Sequence, residues 1–183
     1  MITRQDFFRF RIWNTFIVSI LLSSWLLWQH FNGGIPSHHF LADKTLPLVS
    51  NAWGALVIPI TTWFLLFRVG KGLFGKSDII SFPKHTLYGF LSALLFAFVL
   101  GMAIEYSFKT FLSYIPLILL SLALFFPTYK AEYFLGFILG LTYFIGGVLP
   151  VVVGSIFLLI SALVYLLIRP FILKLFKIVK NEH

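Results

Sequence analysis

The chain reads as an all-α polytopic integral membrane protein, a single domain over residues 1–183 forming a bundle of six transmembrane helices with the N and C termini cytoplasmic. Three observations point there. Hydrophobic residues make up 60% of the chain and charged residues only 11%, whereas a soluble domain is roughly a quarter charged. Mean hydropathy is +0.97, and the apolar residues fall into six runs near the ~20 residues that cross a bilayer. Once those runs are marked, twelve of the fourteen Lys and Arg lie on one side.

The first run, about 12–31, follows Arg4, Arg9 and Arg11. A signal peptide opens in the same way, but this run continues to His30 and no small-x-small cleavage motif follows, so an uncleaved span is expected. The second, about 51–68, opens at Ser50-Asn51, side chains suited to capping a first turn. Pro59 lies inside it and should kink it. The third is about 85–106 and the fourth about 110–127, with Pro116 inside. The fifth, about 132–148, and the sixth, about 150–169, are separated by Gly146-Gly147-Val148-Leu149-Pro150, a helix stop followed by a start. One helix over 132–169 would be about 57 Å long at 1.5 Å per residue, too long for a single crossing. Gly136-x-x-x-Gly140 on the fifth span permits close helix approach. The tail 170–183 mixes Phe171, Ile172, Leu175, Phe176 and Ile178 with Lys174, Lys177 and Lys180. It reads as an amphipathic extension along the cytoplasmic face.

The charges fix the expected orientation. Arg4, Arg9 and Arg11 precede the first span. Arg68, Lys71, Lys76 and Lys84 flank the second connection, Lys130 lies in the fourth, and Arg169, Lys174, Lys177 and Lys180 end the chain. Only Lys44 and Lys109 fall opposite. By the positive-inside rule the richer side is cytoplasmic. Trp13 then sits at the inner boundary, and Trp25, Trp28 and Trp53 at the outer one, as an aromatic belt. The expected location is the inner, cytoplasmic membrane of a bacterial-type cell, as a multi-pass protein. The net charge of +8 follows from that topology and from a basic rim attracting anionic lipid headgroups, so no nucleic-acid partner is expected. The expected partners are the bilayer, those headgroups, and a second copy or another membrane subunit. Cysteine is absent, which excludes disulfides, thiolate nucleophiles and thiolate metal sites.

The polar connection between the first two spans is the richest stretch for chemistry. Its candidate substrate-binding residues are His30, Ser37, His38, His39, Asp43 and Asn51, joined by Glu105 at the outer end of the third span. His38, His39, Asp43 and Glu105 form a candidate metal set, because imidazole with carboxylate suits a divalent ion such as Zn, and His39 and Asp43 at i, i+4 would share a helical face. The competing reading is a polar loop at headgroup depth, since no HxxxH or HExxH spacing is present. Ser37 or Ser50 with a loop histidine and Asp43 would make a nucleophilic set. Turn and cap roles account for both serines equally, and there is no Gly-x-Ser-x-Gly elbow. Glu105 is either a functional intramembrane acid or an interface residue paired with Lys109.

The deep parts of the spans carry hydroxyls and Asn14 but no charge, which disfavours a buried proton relay. On the inner side, His85 follows Pro83-Lys84 and is a candidate contact for a phosphate or lipid headgroup. Gly70, Gly72 and Gly75 lack the Lys-Ser/Thr that would make a phosphate loop.

Ser50-Asn51 leading into an apolar helix with Pro59 resembles the start of a span in the alkaline ceramidase-like membrane hydrolases. The resemblance implies zinc held by histidines and an acid over seven spans. This chain has six expected spans and no paired histidines on the last, so no zinc site is carried over.

Three function classes follow. The first is a protein handling a small solute or lipid, with its site at the outer face between spans one to three and a polar path past Asn14 or Thr61. The second is a membrane-embedded metal-dependent hydrolase using the outer His/Asp/Glu cluster. The third is a non-catalytic accessory subunit of a membrane complex, which should expose the small-residue face around Gly136 and Gly140.

Overall fold

The computed structural model describes residues 1–35, 37–39, 48–75, 77–81 and 83–174. Helix α1 (Arg4–Phe31) opens on a capping box. Thr3 Oγ1 accepts from the Asp6 N–H at 3.1 Å, and the Asp6 carboxylate accepts from the Thr3 N–H at 3.1 Å. Two donors with no intrahelical partner are satisfied reciprocally. The helix therefore starts at Arg4, well before the apolar run begins. Helix α2 (Gly54–Phe74) is preceded by one 3₁₀ turn, Asn51–Trp53. Ser50 Oγ accepts from the Ala52 N–H at 3.2 Å, so the expected cap acts on that turn and not on α2 itself.

Four further helices follow: α3 (Lys84–Glu105), α4 (Lys109–Phe125), α5 (Ala131–Ile145) and α6 (Val148–Leu163). Helix α4 stops because Pro127 disfavours helical backbone at Phe126, which is extended at φ −117°, ψ 146°. Helix α5 stops at Gly146, whose φ of +79° suits glycine. Pro150 sits in the first turn of α6, where its missing N–H costs no hydrogen bond. Helix α6 passes through a π turn, Val164–Ile168, and remains helical to Lys174. The helix thus continues into the segment expected to be tail, as far as Lys174.

Four of the six helical segments are long and apolar enough to cross a membrane: Arg4–Phe31, Asn51–Phe74, Lys84–Glu105 and Val148–Lys174. Helices α4 and α5 have 17 and 15 residues, about 25 and 22 Å at 1.5 Å per residue. They fall short of a hydrocarbon core of ~30 Å.

Two short antiparallel pairs, not expected from the sequence, close the ends. Strand β1 (Ile2–Thr3) pairs with β4 (Ile79–Ile80), with Ile2 opposite Ile80. Arg4 reinforces this pair: its N–H donates to the Asp78 carbonyl at 3.0 Å, and its Nε meets Asp78 Oδ1 at 3.0 Å. Strand β2 (Ser37–His39) pairs with β3 (Leu48–Ser50), with Ser37 opposite Ser50.

Helix α5 is the centre of the bundle. Leu135 and Ile138 join a core with Leu22 and Leu26 of α1 and Ile58, Leu65 and Leu66 of α2. Phe137 and Leu141 join a second core with Ala97 and Leu100 of α3 and Ile115 of α4. The closest seam is between α3 and α5. A side chain at Gly89 would meet Tyr133, one at Gly136 would meet Phe90 and Ala93, one at Gly140 would lie 2.7 Å from Ala97 Cβ, and one at Gly101 would meet Phe144. The paired numbers rise together, so the two helices run parallel. Gly89, Ala93, Ala97 and Gly101 recur every four residues on α3, forming a small-residue stripe against Gly136 and Gly140.

The remaining contacts sort the connections into two ends. Helices α1 and α2 are antiparallel, with Phe7 against Phe74 at 5.7 Å and Phe8 against Trp63 at 6.1 Å between ring centroids. One end carries β1, β4, the α4–α5 connection and the π turn, where Tyr129 and Tyr165 lie 5.6 Å apart. The other carries β2, β3 and the Gly146-Gly147 turn, which packs on Asn51 and Gly54. Large apolar side chains such as Trp13, Phe16, Leu21, Leu95, Leu117 and Leu159 face outward. An apolar exterior of this extent belongs in lipid.

Candidate functional site

The expected outer cluster is only partly described. His38 and His39 lie on β2, and Asp43 lies outside the described residues. The backbone of His39 is extended and paired with Leu48, so His39 itself stands on a strand and not on a helix. Ser37 is exposed, opposite Ser50, and Ser50 has a capping role. His30 is exposed at the end of α1, edge-on to Phe31 at 5.4 Å. Asn51 packs over Gly146. Glu105 is exposed where α3 ends. Its expected partner Lys109 does not pair with it, because the chain turns at Ser107 (φ 54°) and Lys109 begins α4. Among the described residues, no group of three or more His, Asp or Glu is placed to hold a metal.

Asn14 donates to the Phe10 carbonyl at 2.9 Å and Thr61 to the Val57 carbonyl at 2.7 Å. Both are bonded along their own helices, and neither lines the cavity described below. The Gly136–Gly140 face, expected to be exposed in an accessory subunit, is buried against α3.

A cavity of about 830 Å³ lies among α3, α4, α5 and α6. Small-molecule and cofactor sites typically occupy some 300–1,000 Å³. Its ionisable lining comes from the first turns of α3 (His85, Tyr88), the α4–α5 connection (Lys130) and the first turn of α5 (Glu132, Tyr133), with the hydroxyls of Thr86, Thr128, Ser161 and, two turns further along α3, Ser92. Its apolar lining continues along the helices through Phe96, Pro116, Leu119, Phe137 and Phe157. Polarity therefore falls from one end of the bundle toward its middle.

The walls are built by local sequence. Gly89 leaves room for the Tyr133 ring, and Gly154 for the rings of Phe134 and Phe137; an added side chain would lie 3.0 and 2.6 Å from them. Thr128 and Ser161 share a hydrogen bond of 2.6 Å, fixing the α4–α5 connection against α6. Ser161 is buried, so this bond satisfies a hydroxyl that would otherwise be costly to bury. Pro116 removes one backbone bond inside α4, where the helix borders the cavity. Ser92 Oγ donates to the Gly89 carbonyl of its own helix at 3.0 Å.

The sequence marks His85 as a candidate headgroup contact, and the structure places it in the lining of this cavity. Lys130, Glu132 and Tyr133 also line it, and the one local signal for them is that Lys130 and Glu132 stand two residues apart at the mouth of an apolar run. No protein-family model, curated protein or solved structure matches the chain.

Proposed function

We propose that this chain crosses a cytoplasmic membrane six times, with both termini inside, and binds a membrane lipid in the α3–α6 cavity. The observation that carries the lipid reading is the polarity gradient of the cavity. Ionisable and hydroxyl groups gather at one end and aromatic and aliphatic groups continue inward. A lipid presents the same sequence of chemistry, a polar head followed by an acyl chain. The reading keeps the lipid-handling class expected from the sequence and moves its site from the outer loop to the opposite end.

Two observations support the topology. Nine of the ten described Lys and Arg gather at the end that carries the N-terminus and the α4–α5 connection; Lys109 is the exception. The parallel seam between α3 and α5 requires α4 to return the chain to the end where α3 began. Helix α5 thereby lies at the same depth as α3, and the connections flanking it make up for its short length.

The test is mass spectrometry of the intact, detergent-purified protein. The wild type retains bound lipid. Ser92→Trp, which places an indole in the cavity and gives up only a bond to its own helix, lowers the lipid-bound fraction by about tenfold. An unchanged lipid-bound fraction in a folded Ser92→Trp protein would reject the cavity as the site.

A further inference from the structure

We infer that the lipid held in this cavity carries a zwitterionic headgroup, a phosphate joined to a primary ammonium. The inference rests on the lipid reading above and adds the charge pattern of the cavity's polar end. His85 and Lys130 offer donors to a phosphate there, and Glu132 offers a carboxylate. Glu132 is half-buried in the first turn of α5. Among the described residues, neither a hydrogen bond nor an ion pair engages its side chain; the ion pair found there is Arg4 with Asp78, at the N-terminal strand. Its carboxylate is therefore open to accept hydrogen bonds from a ligand cation.

A purely anionic headgroup would be drawn to His85 and Lys130 but repelled by Glu132. A cationic amphiphile would meet the reverse. A phosphate–ammonium headgroup satisfies both signs, with the phosphate toward Lys130 and the ammonium toward Glu132. Its three N–H donors match a carboxylate acceptor, which a trimethylated amine cannot do.

The experiment offers the full-length detergent-purified protein an equimolar mixture of phosphatidylethanolamine and phosphatidylglycerol with identical acyl chains. The intact complexes are then weighed. The wild type binds the ethanolamine lipid over the glycerol lipid by roughly tenfold, the worth of one charge-assisted hydrogen bond. Glu132→Gln brings the ratio to near one while total bound lipid persists. Glu132→Asp, which keeps the charge, retains a preference for the ethanolamine lipid, and Lys130→Gln weakens both lipids together. Size-exclusion elution and melting temperature establish that each variant is folded. Equal binding of the two lipids by the wild type, with both lost in Ser92→Trp, would overturn the headgroup inference and leave the cavity reading standing. Equal adducts in the wild type and Ser92→Trp would overturn both.

Discussion

A guanidinium on a helix that faces lipid needs an acceptor, water or an electron-rich surface. Arg11 has the third. Its guanidinium carbon lies 3.7 Å from the centre of the Trp63 ring, 5.0 Å from Phe8 and 5.5 Å from Phe67. Its Nε is buried with no hydrogen-bond partner. The arrangement joins α1 to α2 by cation–π attraction at the basic end, an interaction of about 0.5–2 kcal/mol. A double-mutant cycle of Arg11→Gln and Trp63→Leu, read by unfolding in mixed micelles, should give a coupling in that range. A coupling near zero would reduce the contact to packing. The charge of Arg11 is read directly from the sequence but this partner is not, because Trp63 is fifty-two positions away and only the hairpin of α1 and α2 joins them. The same holds for the cavity lining: His85 is a candidate from its own neighbours, whereas Glu132 and Lys130 join it only because α3 and α5 lie side by side.

At the scale of elements, the all-α class and the helix breaks were legible because they have local causes. The Gly146-Gly147 pair acts within a few residues of the end it sets, and Pro127, which the sequence reading leaves inside the fourth span, ends α4 in the same local way. The start of α1 was missed because the capping box at Thr3 and Asp6 lies outside the apolar run. The two strand pairs carry little local signal, because each strand has only two or three residues and β1 pairs with a segment more than seventy positions away. The α3–α5 seam was half legible. Gly136-x-x-x-Gly140 was evident, but the complementary stripe on α3 mixes Gly89 and Gly101 with Ala93 and Ala97, and alanine is too common to signal a contact alone. A β-carbon at Gly140 would lie 2.7 Å from both Ala97 Cβ and the Leu94 carbonyl oxygen. Gly140→Leu should therefore force the seam apart and destabilise the fold by about 1–3 kcal/mol or more. Gly72→Leu, where nothing lies within 4 Å, serves as the tolerant control in the same thermal assay. Equal melting temperatures for the two variants would contradict the close seam.

At the scale of the whole molecule, composition and charge say that the chain belongs in a membrane, and helix length complicates the number of crossings. Helices α4 and α5 are short because Pro127 and Gly146 end them early. A short helix in a bundle differs from a short helix alone in lipid: α5 is wrapped by α2, α3 and α6, so its ends meet protein as well as lipid. Non-helical backbone is tolerated at membrane depth where protein surrounds it. Six crossings would put the α4–α5 connection, and with it the polar end of the cavity, on the cytoplasmic side. Four crossings, with α4 and α5 entering and leaving by the same face, would keep that connection away from the cytoplasm. The chain contains no cysteine, so single cysteines can be introduced without first removing any. The most direct measurement is labelling of Lys130→Cys in sealed, right-side-out cells with a membrane-impermeant maleimide. Lys71→Cys and Ser107→Cys would report the two faces. The account predicts that Ser107→Cys labels at once, and that Lys71→Cys and Lys130→Cys label together only after the membrane is opened. Labelling of Lys130→Cys from outside, or its protection even after the membrane is opened while Lys71→Cys reacts, would contradict six crossings and a cytoplasmic opening for the cavity.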